Sequence, residues 1–269
     1  MKKTILPLLL ASAPVFAGEV APVMAPPPCS CPEGWTAGIE ILGMQAYPDA
    51  HEYDNDMDVG LRGSLGYQFG DCMFVRLSGF GFDTDLDFDD ENAAPFEDGE
   101  LDLTFGYVDL VVGQTFGHCD TLTLSPYVGI CWASYDEDED FRQDFSPTSF
   151  LLEEYERDFD GFGIVVGIDA TRTLGNNFSL YGKAKQSIVF GESEYSEEFT
   201  DQIGSFGDYD DDSDEAVFIS ELGAGIQYDF VVSNVAANVR LGFEGQWWAN
   251  IDDHDTGLAG IVLGFNGRF

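Results

Sequence analysis

Apolar and polar side chains alternate along most of this chain, and that period of two is the strongest constraint on its fold. In the run Asp58–Phe69, every odd position except Gly63 is apolar or aromatic, while the even positions carry Gly, Ser, Gln, Asp and Arg62. Successive side chains of a β-strand point to opposite faces, so the pattern predicts a strand with one apolar face. Ten such runs are predicted: Trp35–Tyr47, Asp58–Phe69, Cys72–Phe82, Leu101–Phe116, Thr121–Tyr135, Phe162–Leu174, Phe178–Gly191, Ala216–Phe230, Val235–Trp248 and Gly257–Phe269.

The connections between these runs alternate between tight and long. The tight ones are Gly70–Asp71, Gly117–Asp120, Gly175–Asn177 and Val231–Asn234, and the long ones cover about residues 48–57, 83–100, 136–160, 192–215 and 249–256. Outer-membrane barrels have short periplasmic turns and long external loops, whereas a soluble sandwich has no reason to sort its loops in this way. We therefore predict an all-β, antiparallel transmembrane β-barrel of about ten strands. Eight or twelve strands are the alternatives, because segment 136–160 could extend a strand or add a hairpin.

Both ends of the chain agree with this location. Lys2 and Lys3 precede the apolar stretch Ile5–Phe16, and residues 1–17 are predicted to be a secretory signal peptide. Residues 18–34 are Pro-rich and are expected to form a periplasmic lead-in, which leaves 35–269 as the barrel. The last strand ends on the aromatic Phe269, which we interpret as an assembly signal for the barrel-assembly machinery. No later segment reaches the roughly 18 consecutive apolar residues of a transmembrane helix.

Acidic residues are concentrated in the predicted long loops. The chain has 11 Lys and Arg against 50 Asp and Glu, so nucleic acid is not expected as a partner. Outer-membrane lipid is the expected surroundings of the apolar strand faces. The acid run Asp208, Asp210, Asp211 and Asp212 could collect Ca²⁺, although a solvated charge run is the favoured interpretation because the spacing of an EF-hand is missing. No cofactor is predicted.

The polar phase of the strands carries the candidate functional residues. Its basic members are Arg62, Arg76, Lys183, Lys185 and Arg240, and its acidic members are Glu40, Asp109, Asp169, Glu221 and Glu244. Since the opposite phase is apolar, these charges are predicted to point into the lumen and to line a pore. Charges of both signs around a lumen are a usual basis of ion and solute selection. The competing interpretation is that they neutralise one another and fill a narrow barrel.

Aromatic residues and cysteines add two further predictions. Aromatic girdles at the two membrane interfaces are expected from Trp35, Tyr47, Tyr67, Phe69, Trp132, Tyr135, Phe190, Tyr228, Trp247 and Trp248. Cys29, Cys31, Cys72 and Cys119 lie in or near the predicted periplasmic segments, where disulfides can form, although their pairing is open and a disulfide-linked envelope partner is an alternative. Cys131 is predicted to be a buried or lipid-facing free thiol.

Four stretches resemble a known family. They are Trp35–Glu40 (WTAGIE), Asp160–Asp169 (DGFGIVVGID), Asn177–Gly182 (NFSLYG) and Gly242–Trp248 (GFEGQWW), and they are similar to successive strands of the Legionella-type major outer membrane protein family. Members of that family are described as pore-forming. The resemblance implies an outer-membrane channel for passive diffusion of small solutes or ions, located in the bacterial outer membrane. The heavy acid load of the loops departs from the family pattern and leaves the solute preference open.

Two other functions are weighed against a channel. Ten strands are only slightly more than the eight whose inward side chains can fill a barrel, so a non-conducting structural or adhesive barrel is the main alternative. An omptin-like protease is the second, with Asp83, Asp85 and the pair Asp253–His254 as candidate groups near the outer rim. Carboxylates are so frequent in these loops that such pairs are expected by chance, and the common hydrolase motifs do not occur. The chain is accordingly predicted not to be an enzyme.

Overall fold

The computed structural model contains ten β-strands and describes residues 31–48, 56–90, 96–117, 121–146, 149–201, 204–233, 235–251 and 254–269. The predicted signal peptide and most of the lead-in lie outside these ranges. The strands are β1 (Gly34–Pro48), β2 (Asp58–Gln68), β3 (Met73–Asp90), β4 (Phe96–Gln114), β5 (Leu122–Ser146), β6 (Ser149–Gly175), β7 (Phe178–Asp201), β8 (Gly204–Val232), β9 (Val235–Ile251) and β10 (His254–Arg268).

All strands pair with their chain neighbours in antiparallel fashion, and the sheet closes on itself through β1 and β10. The closing ladder continues to the last residue, because Phe269 and Trp35 exchange two backbone hydrogen bonds of 2.9 and 3.0 Å. Closure leaves no free strand edge, which is what the interior of a bilayer demands of a sheet. The predicted fold class and strand number are confirmed. Among the described residues, no helix is long and apolar enough to cross a membrane.

The strands are much longer than the sequence patterns indicated. We expected 83–100, 136–160 and 192–215 to be loops, and that expectation was wrong: β6 has 27 residues and β8 has 29. About 9–11 tilted residues suffice to cross a bilayer, so the middle strands continue well beyond it. We call the part of β3–β8 beyond the membrane, formed largely by these acid-rich segments, the outer extension. Short tight turns mark the periplasmic end of an outer-membrane barrel, so the outer extension lies on the extracellular side.

A band of apolar side chains surrounds the lower half of the barrel. On β6, Phe162, Ile164, Val166 and Ile168 point outward with 38–56% of their surface exposed. Outward aromatic residues border this band at both edges, including Trp132, Phe190 and Trp247 above and Trp35, Phe69 and Tyr228 below. This arrangement is the lipid-facing surface of an outer-membrane barrel. Two of the residues predicted for the girdles, Tyr135 and Trp248, point inward instead and are 2% and 0% exposed.

Above the membrane, the outward face of the sheet becomes acidic and the inward face becomes apolar, while the alternation of side chains continues. The outward residues of β6 change from Ile164 and Phe162 to Asp160, Asp158 and Glu156, all of them exposed. The inward residues of β4 change in the opposite sense, from the buried Asp109 to the apolar set Phe105, Leu103 and Leu101, which are 0–2% exposed. The outer extension is therefore built like a water-soluble barrel, with an acidic exterior and an apolar interior.

One disulfide ties the start of the barrel to its first tight turn. Cys31 and Cys72 are bonded, with a Cα–Cα distance of 4.9 Å, and they close a loop across 41 residues. The prediction of disulfides at the periplasmic end is confirmed for this pair. Cys29 and Cys119 lie outside the described residues, so their partners stay open. Cys131 is a buried free cysteine, as one of its two predicted environments required.

Candidate functional site

All ten predicted lumen residues point into the barrel. Nine line one narrow void at membrane level, and the tenth, Glu244, lines the adjoining one. We call these residues the ionic layer: Arg62, Arg76, Lys183, Lys185, Arg240, Glu40, Asp109, Asp169, Glu221 and Glu244. Strand phase explains the placement, because each occupies the inward parity of a strand whose outward residues face lipid. Five basic and five acidic residues leave the layer formally neutral.

Arg62 is the centre of the ionic layer. Its Nη1 donates to Glu40 at 2.9 Å, its Nη2 donates to Glu244 at 2.5 Å, and its Nε donates to the hydroxyl of Tyr107 at 3.0 Å. A third carboxylate, that of Glu221, lies 3.4 Å from Nη2. A guanidinium has five N–H donors in a fixed fork, so one side chain can bind several acceptors at once. Arg62 thereby links β2 to the opposite part of the wall, at β8 and β9.

The two lysines complete the layer from β7. Lys183 lies 2.5 Å from Glu244 and 3.4 Å from Glu221. Lys185 donates to Asp109 on β4 at 2.9 Å, pairs with Glu221, and lies 3.3 Å from the centre of the Tyr107 ring. Lys185 is buried and Lys183 partly so, and buried charges are tolerated only when they are paired and hydrogen-bonded. Side chains from β2, β4, β7, β8 and β9 consequently meet across the lumen.

An apolar plug lies above the ionic layer and was not anticipated from the sequence. Phe105 on β4 and Trp248 on β9 belong to opposite walls of the barrel, yet their ring centroids are 5.3 Å apart and both side chains are fully buried. Tyr135 contacts Phe105 at 5.0 Å, and Leu42 and Met44 are also fully buried in the same cluster. Because rings from opposite walls touch, side chains fill the barrel across its diameter at this height.

The sequence did contain a signal for the apolar plug. Residues 83–89 read Asp-Thr-Asp-Leu-Asp-Phe-Asp, and residues 100–103 read Glu-Leu-Asp-Leu, so acids alternate with apolar residues as strictly as in any membrane strand. Acidic residues are uncommon in strands, so the acidic composition led us to predict loops here, although the alternation by itself predicts strands. A period of two with acids on one face predicts a strand with that face in water.

Below the ionic layer the lumen widens into a cup that opens at the periplasmic end. Its volume is about 850 Å³. Apolar and polar side chains line it together, and the polar ones include Ser64, Gln68, Arg76, Thr115, Asp169, Gln227, Asp229, Asn238, Arg240, Asn266 and Arg268. We call this space the vestibule. Arg76 is fixed in its wall by donation to Asp169 at 2.8 Å and lies 4.8 Å from the centre of the Tyr127 ring.

Carboxylates stand directly opposite one another on the outer surface of the outer extension. Asp102 on β4 lies between Asp85 on β3 and Asp138 on β5 in the strand register. Partial burial and the facing carboxyl of Asp85 raise the pKa of Asp102 to about 6. Like charges in directly opposed positions are destabilising, so this surface opposes folding at neutral pH.

The candidate protease and calcium residues are not assembled into a site by the described residues. Asp83 and Asp85 point outward from β3 and away from the lumen. Asp253 and the side chains of His254 and Asp208 lie outside the described residues. In the part of the chain that the structure describes, no three His, Cys, Asp or Glu side chains are grouped so that they could hold a metal ion.

A family comparison agrees with this architecture. The model of the family described as Legionella pneumophila major outer membrane protein precursor matches residues 30–259. The chain belongs to this family. Membership in the Legionella major outer membrane protein family, together with a closed barrel encircled by an apolar band, places the protein in the bacterial outer membrane. No curated protein sequence matches the chain.

Solved structures similar to this member of the Legionella family are outer-membrane barrels. The outer membrane protease OmpT of Escherichia coli has a TM-score of 0.53 and 11% identity, with 90% of this chain and 98% of that chain covered. A major outer membrane protein of Thermus thermophilus has a TM-score of 0.40 and 15% identity, with 87% and 99% covered. The toluene transporter TodX of Pseudomonas putida has a TM-score of 0.34 and 8% identity, with 88% and 90% covered. At such identities the likeness to OmpT indicates a shared fold and nothing about activity.

Proposed function

We propose that this member of the Legionella major outer membrane protein family is a structural outer-membrane barrel whose lumen is closed, and that it holds an acidic outer extension above the membrane. The observation that carries the proposal is the contact between Phe105 and Trp248, whose rings meet from opposite walls at 5.3 Å. A solute crossing the lumen has to separate these rings and then break the charge pairs of the ionic layer beneath them.

The two closed levels resist passage for different physical reasons. The apolar plug excludes water, so an ion that enters it loses its hydration without gaining a partner. At the centre of the ionic layer, Arg62, Lys183 and Lys185 are each bonded to carboxylates, so an entering ion meets little uncompensated charge there. Separating a buried pair leaves two uncompensated charges, so thermal opening of several pairs together is rare.

Planar-bilayer recording of the refolded chain tests the closed lumen. We expect no discrete current steps across a range of salts, with folding verified by heat-modifiable migration on gels. Regular current steps from the folded wild type would contradict the closed-barrel proposal. If steps occur, Phe105→Ala should enlarge them, whereas Val108→Ala, on the outward face of the same strand, should leave them unchanged.

A narrow ion channel is the second candidate, and a specific observation favours it. The ionic layer contains a void of about 100 Å³ lined by Arg62, Arg76, Asp109 and Lys185, among others. Among the described atoms around this void, Asp109 Oδ1 is buried without a hydrogen-bond partner. Polar voids of this kind hold water, and the vestibule already extends to the layer from below. Under this alternative only the apolar plug has to move for small ions to pass.

The absence of enzymatic activity stays a prediction. A peptidase assay of the folded barrel with Asp83→Ala and His254→Ala variants tests it. We expect no cleavage by the wild type, and cleavage that both substitutions abolish would establish the protease alternative.

A further inference from the structure

Arg240 in the vestibule is a guanidinium that is held in place without being neutralised. Its Nε donates to Gln227 Oε1 at 2.8 Å, and its guanidinium carbon lies 5.2 Å from the centre of the Tyr181 ring. Every other arginine and lysine of the ionic layer has a carboxylate within 3.4 Å. Within the described ranges, no carboxylate lies within 4.0 Å of Arg240.

A chain of hydrogen bonds fixes the orientation of Arg240. Gln227 Nε2 donates to Asp229 at 2.5 Å, and Ser179 Oγ donates to the other oxygen of that carboxylate at 3.1 Å. Because the amide nitrogen of Gln227 is engaged by Asp229, its oxygen must face Arg240 Nε. Gln227 is itself buried, with 7% of its surface exposed. The two Nη groups of Arg240 are left as a pair of donors in a wall of the vestibule.

Further donors stand beside that pair. Asn238 is two residues from Arg240 on the same face of β9, and it lies opposite Asn266 of β10 in the register. The amide of Asn266 donates to Asn238 at 3.3 Å, and both side chains line the vestibule. Arg268 lines the same space nearer the rim, and no described carboxylate lies within 4.0 Å of it.

The charge of the vestibule has the opposite sign to that of the chain. Its lining carries Arg76, Arg240 and Arg268 against Asp169 and Asp229, an excess of one positive charge, while the whole chain has a net charge of −39. Arg76 is already paired with Asp169. Unpaired Nη donors in a fixed fork are suited to bidentate binding of a carboxylate or a phosphate.

We propose that the vestibule is a binding site for a small anion that enters from the periplasm, with a carboxylate or phosphate group seated on the Nη pair of Arg240 beside Asn238 and Asn266. A volume of about 850 Å³ admits molecules of metabolite size and leaves room for bound water. This site goes beyond the closed-barrel function, because occupancy of a cup that the described residues leave open at the periplasmic end requires no transport.

Calorimetric titration of the full refolded chain in detergent tests the site. Inorganic phosphate and succinate are titrated separately, so that a phosphate source and a carboxylate source of the anion are distinguished. We expect saturable binding of at least one of them at millimolar concentrations. Arg240→Gln should weaken that binding by at least about tenfold, since it removes a bidentate charged contact.

Arg172→Gln is the matched control. Arg172 lies on β6 near the same end of the barrel but points outward and is exposed. It carries the same charge, and its substitution should leave the affinity unchanged. Arg240→Lys keeps the positive charge without the fork, and should lose affinity several-fold while folding as the wild type does. This second variant keeps the test valid if Arg240→Gln fails to fold.

Three outcomes would overturn the proposal: no binding of either anion by the folded wild type, equal affinity in the wild type and the folded Arg240 variants, or an equal loss with Arg172→Gln. The last result indicates a general charge effect. Bilayer conductance is measured separately, so a failure of the anion site and a failure of the closed-barrel function are distinguishable.

Discussion

The membrane-level half of the barrel and the outer extension share the same alternation of side chains, but lipid surrounds the first and water surrounds the second. On β6, Ile164 faces lipid and Asp158 faces water from the same side of one strand. Inside, the order is reversed: Asp109 and Glu221 lie in the ionic layer, while Phe105 and Trp248 lie in the apolar plug. Along one continuous sheet, the medium outside determines which chemistry the inner face must carry.

The two halves of the barrel gain their stability from different interactions. The outer extension buries apolar side chains in its interior, so the hydrophobic effect stabilises it as it does a soluble domain. The membrane half gains little from apolar contacts with lipid and closes its interior with charge pairs and backbone ladders. Substitutions on the two faces of one strand should therefore have opposite consequences in the two halves.

Loss of one buried carboxylate in the membrane half should have the largest effect. Glu221→Ala removes a partner shared by Lys183, Lys185 and Arg62, and it should lower the free energy of unfolding by about 3–5 kcal/mol. Urea unfolding of the refolded barrel in detergent measures this. Asp214→Ala, an outward position on the same strand in the outer extension, is the control and should be neutral or stabilising. Equal losses in the two variants would contradict the contrast between the two halves.

The second-largest difference between the two halves should come from a lysine substituted on the outer face of β6. Ile164→Lys places a charge in lipid and should cost about 2–4 kcal/mol if the residue lies near the bilayer midplane. Asp158→Lys on the same face of β6 should be tolerated, because it replaces one charge in a crowded acidic surface by its opposite. The yield of the heat-modifiable folded form in liposomes measures both. A well-folded Ile164→Lys barrel would show that the membrane band has been assigned too far from the periplasmic end.

Acid should stabilise the outer extension and leave the membrane half nearly unchanged. Since the pKa of Asp102 is raised to about 6, the folded state binds this proton more tightly than the unfolded chain does. Stability should therefore rise as the pH falls from 8 through 6 towards the ordinary range of an aspartate. Amide hydrogen exchange of β4 at pH 5 and pH 8, corrected for the intrinsic rates, measures this.

Asp102→Asn should reduce that pH dependence. The control is Asp71→Asn in the periplasmic turn, where Asp71 accepts a hydrogen bond from the backbone of Met73 at 3.2 Å. If the variant with Asn at position 102 keeps the full pH dependence, the facing pair Asp85–Asp102 is not its source.

Added salt should have the smallest effect, and like acid it should stabilise the outer extension. Carboxylates that face one another across neighbouring strands repel, and raising the ionic strength from 0.01 to 1 M shortens the screening length from about 30 Å to about 3 Å. Protection of residues 150–160 against amide exchange should increase, by an amount equivalent to less than about 1 kcal/mol, while residues 162–170 change little. A decrease in the outer extension would mean that attractive ion pairs dominate its surface.

Prediction from sequence succeeded where a local period carried the information. The alternation placed Arg62, Lys185 and Glu221 on the inner face, and the structure has them there. It failed at segment 136–160, because a dense run of acids outweighed the alternation of Tyr135, Asp136 and their neighbours. The chemistry of the two faces also changes within β4 and β5, so no single apolar face runs through either strand.

Contacts across the lumen could not be predicted in the same way. Phe105 and Trp248 are far apart in the chain and lie on strands that are not neighbours in the sheet. Whether they touch depends on the diameter and stagger of the closed barrel, and no local pattern encodes either. For the same reason, the sequence could not show that Arg240 has no carboxylate partner. By sequence alone, the five basic residues of the ionic layer are equivalent.

Period-two alternation and alternating turn lengths act locally on every strand, so the amino-acid sequence was enough to predict an all-β outer-membrane barrel of about ten strands, with eight or twelve as alternatives. It also determined which residues face inward. The tertiary structure adds that the inward residues meet, that apolar rings pack across the lumen above the charge pairs of Arg62, Lys183 and Lys185, and that Arg240 has no carboxylate partner among the described residues. Closing the sheet brings opposite walls within side-chain reach, and contacts across that distance exist only once the barrel is complete.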